Sequence, residues 1–124
     1  MSMKICITSR GDTLDAEVDP RFGRCAYFVV VDTETHALEA IQNPYLEAAG
    51  GAGIQSGQLM VDKQVKAVIT GNVGPNAFQT LQAAGIDVIT GVAGSVRDAV
   101  EKYNNNELKL TQGPSVNSKF GLPG

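Results

Sequence analysis

The chain has 124 residues, 43% of them hydrophobic and 19% charged, with a formal net charge of −3. That is the size and composition of one ordinary globular domain, with enough chain to bury a core without disulfide staples. No run of about 18 apolar residues is present for a membrane-spanning helix, and the slightly acidic balance offers no basic footprint for nucleic acid.

In chain order, residues 4–8 read as a short strand, followed by a loop rich in acids and turn formers up to Pro20. Residues 27–32 form a nearly continuous apolar and β-branched run, as an interior strand does. A polar turn through His36 leads to a third strand at 37–42. Asn43-Pro44 breaks the pattern, and after the run Gly50-Gly51-Ala52-Gly53 a helix is expected at 54–63. Residues 66–70 give a fourth strand, and Gly71-Asn72-Val73-Gly74-Pro75-Asn76 opens a second helix with proline at its first position, ending at Gly85. Residues 86–90 make a fifth strand, and Ser95 caps a third helix that fades at Asn104–Asn106. Residues 1–104 are therefore read as one α/β domain. Residues 105–124, ending in a Gly-, Pro- and Ser-containing stretch, are read as a tail that is mobile or ordered only by docking on the body.

The order β-β-β-α-β-α-β-α, with right-handed crossovers, predicts a mixed five-stranded sheet of order 3-2-1-4-5 with only the second strand antiparallel and helices on both faces. Ligand crevices in such sheets lie at the carboxyl edge. That edge collects Arg10, the stretch Arg21-Phe22-Gly23-Arg24-Cys25, the glycine run at 50–53, the Gly71–Asn76 turn and the Gly91–Gly94 turn. All four arginines map there, Arg97 through the first turn of the third helix, whereas most lysines map elsewhere. Guanidinium forks, glycine backbones and three helix amino termini together describe a pocket for an anionic ligand.

Local chemistry alone leaves alternatives open. Arg21 and Arg24 could pair with Asp15, Glu17 or Asp19, Phe22 could plug the core, and Cys6 reads as a small core residue. Cys25 stands just outside the second strand as a core residue, a soft metal ligand or a reactive thiol. His36 is expected at the opposite edge, so no Ser/His/Asp set can form, and neither a P-loop nor a dinucleotide fingerprint is present. These readings favour binding over catalysis. The beginning of the chain, which runs directly into a strand pattern without a leader-like segment, points to the cytoplasm.

The motifs "RFGRCAYF" (21–28), "GGAG" (50–53), "GNVGPNAFQTL" (71–81) and "AGIDV" (84–88) occur in the order found in the dinitrogenase iron–molybdenum cofactor biosynthesis family. The chain resembles its NifX- and NafY-like proteins, the C-terminal domain of NifB, and small stand-alone members of the orange-protein type. The resemblance spans residues 3–104. It implies a ribonuclease H-like fold and a non-enzymatic carrier or store for an anionic, molybdenum-containing metal–sulfur cluster of Mo-Cu or Fe-Mo type. Taken with the rim that the topology assembles, the candidate binding residues are Arg10, Arg21, Phe22, Gly23, Arg24, Cys25, Gly50, Gly51, Ala52, Gly53, Gly71, Asn72, Gly74, Pro75 and Asn76, with Cys25 the candidate metal-ligating thiolate. Implied partners are the cluster itself and its donor or acceptor proteins or an ATPase, with the chain a monomer or at most a weak dimer. The alternatives are a regulatory module for a small anionic metabolite, a partner-docking protein and, more weakly, an enzyme using Cys25 as nucleophile.

Overall fold

A computed structural model describes residues 3–46 and 51–114. Its elements are β1 (Lys4–Ser9), β2 (Tyr27–Asp32), β3 (Leu38–Gln42), α1 (Ala52–Asp62), β4 (Ala67–Ile69), α2 (Pro75–Ala83), β5 (Asp87–Ile89) and α3 (Val96–Asn104). They form one sheet of order β3-β2-β1-β4-β5, in which β2 runs against both neighbours while β1, β4 and β5 are parallel. The expected fold class and strand order are thus observed.

Alternation along the strands builds two cores from one sheet. On one face Cys6, Phe28, Val30, Val68 and Val88 pack with Met60 of α1 and Ala77, Phe78 and Leu81 of α2. On the other, Ile5, Ile7, Val29, Val31, Ile69 and Ile89 pack with Val96, Ala99 and Val100 of α3. Helices therefore cover both faces, and every strand residue that points inward is apolar or a small hydroxyl.

The turn between β2 and β3 is an Asx turn, with Asp32 Oδ1 accepting the N–H groups of Glu34 (2.9 Å) and Thr35 (3.0 Å). This sets His36 at the edge away from the carboxyl ends of β1, β4 and β5, as expected. The first helix departs from expectation: it begins at Ala52, inside the glycine run, because these small residues pack closely. A Cβ on Gly53 would lie 3.2 Å from the Ala77 Cβ, and one on Gly57 would lie 2.7 Å from the Thr80 Cγ2. The absence of side chains here lets α1 and α2 approach.

Beyond α3 the chain returns along the open edge of β5. Thr111 donates its N–H to Val88 O (2.7 Å), and its hydroxyl accepts the Thr90 N–H (2.9 Å). The first part of the expected tail is therefore docked on the body, and residues 115–124 lie outside the described residues. Among the described residues no helix is long and apolar enough to cross a membrane.

Candidate functional site

The carboxyl edge is organised by Asp19. At the end of β1, Thr8 Oγ1 lies 2.7 Å from both Asp19 O and Thr70 Oγ1, and Asp19 N–H returns a bond to Thr8 O (2.8 Å). The Asp19 carboxylate is 2% exposed. It accepts the backbone N–H of Arg21 (3.1 Å) and of Ala26 (3.3 Å), closing residues 19–26 into a ring. It also pairs with the Arg21 guanidinium, Nε at 3.2 Å and Nη2 at 3.4 Å.

That ring is wedged against two other segments. Phe22 N–H donates to Asn72 O (3.1 Å), so the loop runs beside the Gly71–Gly74 turn after β4. Gly71 faces Pro20 so closely that a Cβ there would lie 2.6 Å from the Pro20 Cα. Gly23 has φ +95°, a conformation glycine adopts without strain, and its missing side chain would meet the Gly53 backbone at 3.3 Å. Asn43 Nδ2 holds the loop from behind by donating to Gly23 O (3.1 Å) and Cys25 O (2.8 Å). Arg24 donates from Nη1 to Leu46 O (3.0 Å) and makes no ion pair among the described residues.

The structure thus brings Arg21, Gly23 and Arg24 together with Ala52, Gly53, Gly71 and Asn72. Gly51 caps α1 and Gly74 caps α2, each without a side-chain hydrogen bond, and Pro75 and Asn76 form the first turn of α2. Two helix amino termini therefore meet the arginine loop with backbone donors and partial positive charge. Gly50 lies outside the described residues.

Four expectations change. The third amino terminus is already satisfied: Val96 and Arg97 donate to Ala16 O (2.9 Å) and Leu14 O (2.8 Å), and Asp98 N–H to the Ser95 hydroxyl (3.1 Å). Arg97 pairs with Asp15 (3.2 Å), and Arg10 is exposed on the strand-like loop that bonds Glu17, so both belong to the α3 flank. Phe22 is buried, with its ring edge-on to Phe28 at 5.9 Å, and plugs the core under the loop. Cys25 is 0% exposed in the same core, and burial, then the neighbouring Cys6 and Asp19, push its thiol well above the ordinary range. In this structure the thiol is enclosed among core side chains rather than exposed at the rim. Among the described residues no three His, Cys, Asp or Glu side chains gather to hold a metal ion.

Asp19 was legible only as one of three acids that could pair with the arginines. The signal that singles it out is Asp-Pro-Arg, an Asx turn in which the side chain reaches the N–H two residues on. Thr8, Thr70 and Asn43 gave no local signal, because their partners lie far along the chain.

Comparison with known proteins agrees with this architecture. The chain is similar to the orange protein of Desulfovibrio gigas, solved in its apo form, with 41% identity, coverage of 94% of this chain and 98% of that one, and a TM-score of 0.90. It is also similar to a putative NifB protein from Thermotoga, with 35% identity over 94% of this chain and all of that one, at a TM-score of 0.78. An uncharacterized protein of Methanocaldococcus jannaschii is 30% identical over 95 residues, covering 74% of this chain and 80% of that one. Residues 3–106 match the family described as dinitrogenase iron–molybdenum cofactor, and the chain belongs to that family.

Proposed function

We propose that the protein is a non-catalytic cytoplasmic carrier or store for an anionic metal–sulfur cluster, held non-covalently at the carboxyl edge of the sheet. The observation that carries this reading is the arginine loop 21–24 seated against the amino termini of α1 and α2, whose glycine caps supply no side-chain hydrogen bond. A polyanionic sulfide cluster presents bridging and terminal sulfurs that accept N–H hydrogen bonds, and its charge is offset by guanidinium and helix ends. Arg21 and Arg24 supply forked donors, while Gly51–Gly53 and Gly71–Asn76 supply backbone that a bulky anion can approach closely. In this reading Cys25 backs the site and the cluster rests on donors rather than on a protein thiolate.

The cluster is taken to be of molybdenum–copper or iron–molybdenum type, on the strength of the family and of the similarity to the orange protein. Its partners would be proteins that hand the cluster over or take it away, or an ATPase that drives the exchange. The test is reconstitution with tetrathiomolybdate and copper, followed by visible spectroscopy. A charge-transfer band that survives desalting is expected in the native protein and is lost when Arg21 and Arg24 are both replaced by alanine. A colourless native protein, or an undiminished band in the double variant, rejects the reading.

A further inference from the structure

Resting on that reading, we infer that the two loop arginines have different jobs, assigned by Asp19: Arg24 supplies net charge to the bound anion, whereas Arg21 supplies oriented hydrogen-bond donors with its charge already cancelled. Asp19 is the positioning residue that makes the distinction.

The geometry is asymmetric although the two arginines are only three positions apart. A guanidinium has five N–H donors. Arg21 gives Nε–H and one Nη2–H to the Asp19 carboxylate, which leaves its two Nη1–H groups and the second Nη2–H for an external acceptor. Asp19 also grips the Arg21 backbone N–H, so main chain and side chain of the same residue are fixed by one carboxylate. The carboxylate is buried and accepts the Ala26 N–H, and the Asp19 backbone is tied to Thr8, whereas the Arg21 side chain is 41% exposed, so the free side of the fork is the side facing solvent. To an approaching anion this pair is a dipole with aimed donors. Arg24 is different: it donates to a neutral carbonyl, Leu46 O, and no carboxylate among the described residues pairs with it to offset its charge.

A monopole acts over the screening length and fades with salt, whereas short aimed hydrogen bonds do not. The division of labour is therefore readable from salt dependence. Binding of inorganic tetrathiomolybdate is measured by equilibrium dialysis at about 0.01 M and about 1 M ionic strength, where the screening length falls from about 30 Å to about 3 Å. The native protein binds more tightly at low salt. Arg24→Gln lowers the low-salt affinity about tenfold and the high-salt affinity no more than about twofold, collapsing the ratio between them. Arg21→Gln lowers affinity about tenfold at both salts and keeps the native ratio. Asp19→Asn uncovers the Arg21 charge while preserving the shape of the side chain, and raises the low-to-high-salt ratio about threefold or more.

A purely structural role for Asp19 would weaken binding equally at both salts and leave the ratio alone. Equal flattening by Arg21→Gln and Arg24→Gln overturns the inference, as does a native ratio in Asp19→Asn. If the buried substitution prevents folding, the contrast between the two glutamine variants still decides the matter. Failure of the native protein to bind the anion at either salt is a separate result: it removes the carrier reading and this inference with it.

Discussion

Replacing Gly71 with alanine tests whether the arginine loop is a packed part of the sheet edge or a surface flap. Gly71 follows β4, and its carbonyl accepts the Gly91 N–H (2.8 Å), so it cannot retreat toward β5. On its other side a Cβ would lie 2.6 Å from the Pro20 Cα, 2.8 Å from the Pro20 Cβ and 3.0 Å from the Pro20 carbonyl oxygen. Ordinary carbon contacts are about 3.5–4.0 Å, so Pro20 must move by roughly 1 Å. It has little freedom to do so. Asp19 is tied to Thr8 through both its backbone N–H and its carbonyl, and Phe22 is tied to Asn72 O. Overpacking of this kind costs about 1–3 kcal/mol, which in a domain of this size lowers the melting temperature by about 3–5 °C per kcal/mol.

Two other glycines separate steric from conformational causes. Gly91 has open space around an added Cβ but φ +77°, so Gly91→Ala costs only the left-handed strain of about 1 kcal/mol. Gly113 has open space and no such φ, so Gly113→Ala is neutral. Thermal unfolding followed by circular dichroism should rank Gly71→Ala as least stable, Gly91→Ala next and Gly113→Ala beside the native protein. Gly71→Ala melting together with Gly113→Ala would falsify the close seating of Pro20 on the β4 turn, and with it the rigid presentation of Arg21.

Ser56 on α1 is fully buried, and its hydroxyl has no hydrogen-bond partner among the described residues, so Ser56→Ala should stabilise the protein by about 1 kcal/mol; a lower melting temperature would contradict that assignment. The two buried thiols predict a pH effect with a definite sign. Burial raises the pKa of Cys6 and of Cys25, the latter also through Cys6 and Asp19, so above about pH 9 the unfolded chain releases protons that the folded chain keeps. Stability therefore falls as pH rises past that point, by about 1.4 kcal/mol per pH unit for each thiol, and is unaffected by these groups below it. Urea titrations from pH 7 to 10.5 on the native protein and on Cys6→Ala with Cys25→Ala measure the difference; parallel curves would show that neither thiol carries it.

The sheet order was legible because it follows from period-two burial, helix-period segments and crossover handedness, all of which are written in neighbouring residues. The ends of its elements were less so. The run at 50–53 reads as a loop by its glycines, yet Ala52 and Gly53 are the first turn of α1, because close packing on Ala77 outweighs poor helix propensity. The α3 amino terminus reads as an open anion site, but the loop at 14–16 folds back and fills it, a pairing that separation along the chain conceals.

Arg24 and Cys25 show the same limit at single-residue scale. Adjacent side chains of an extended segment point to opposite sides, so one of the two had to face the core, and composition could not say which. Gly23 decides it: its positive φ turns the chain at the point where it passes Gly53. Asn43 then fixes the carbonyls of Gly23 and Cys25 from the inside. The thiol is carried into the core, and the guanidinium is left to donate to Leu46 O in an exposed contact. The orientation is set by a residue with no side chain and by an amide far along the chain, which is why the charged member of the pair is at the rim and the nucleophilic member is not.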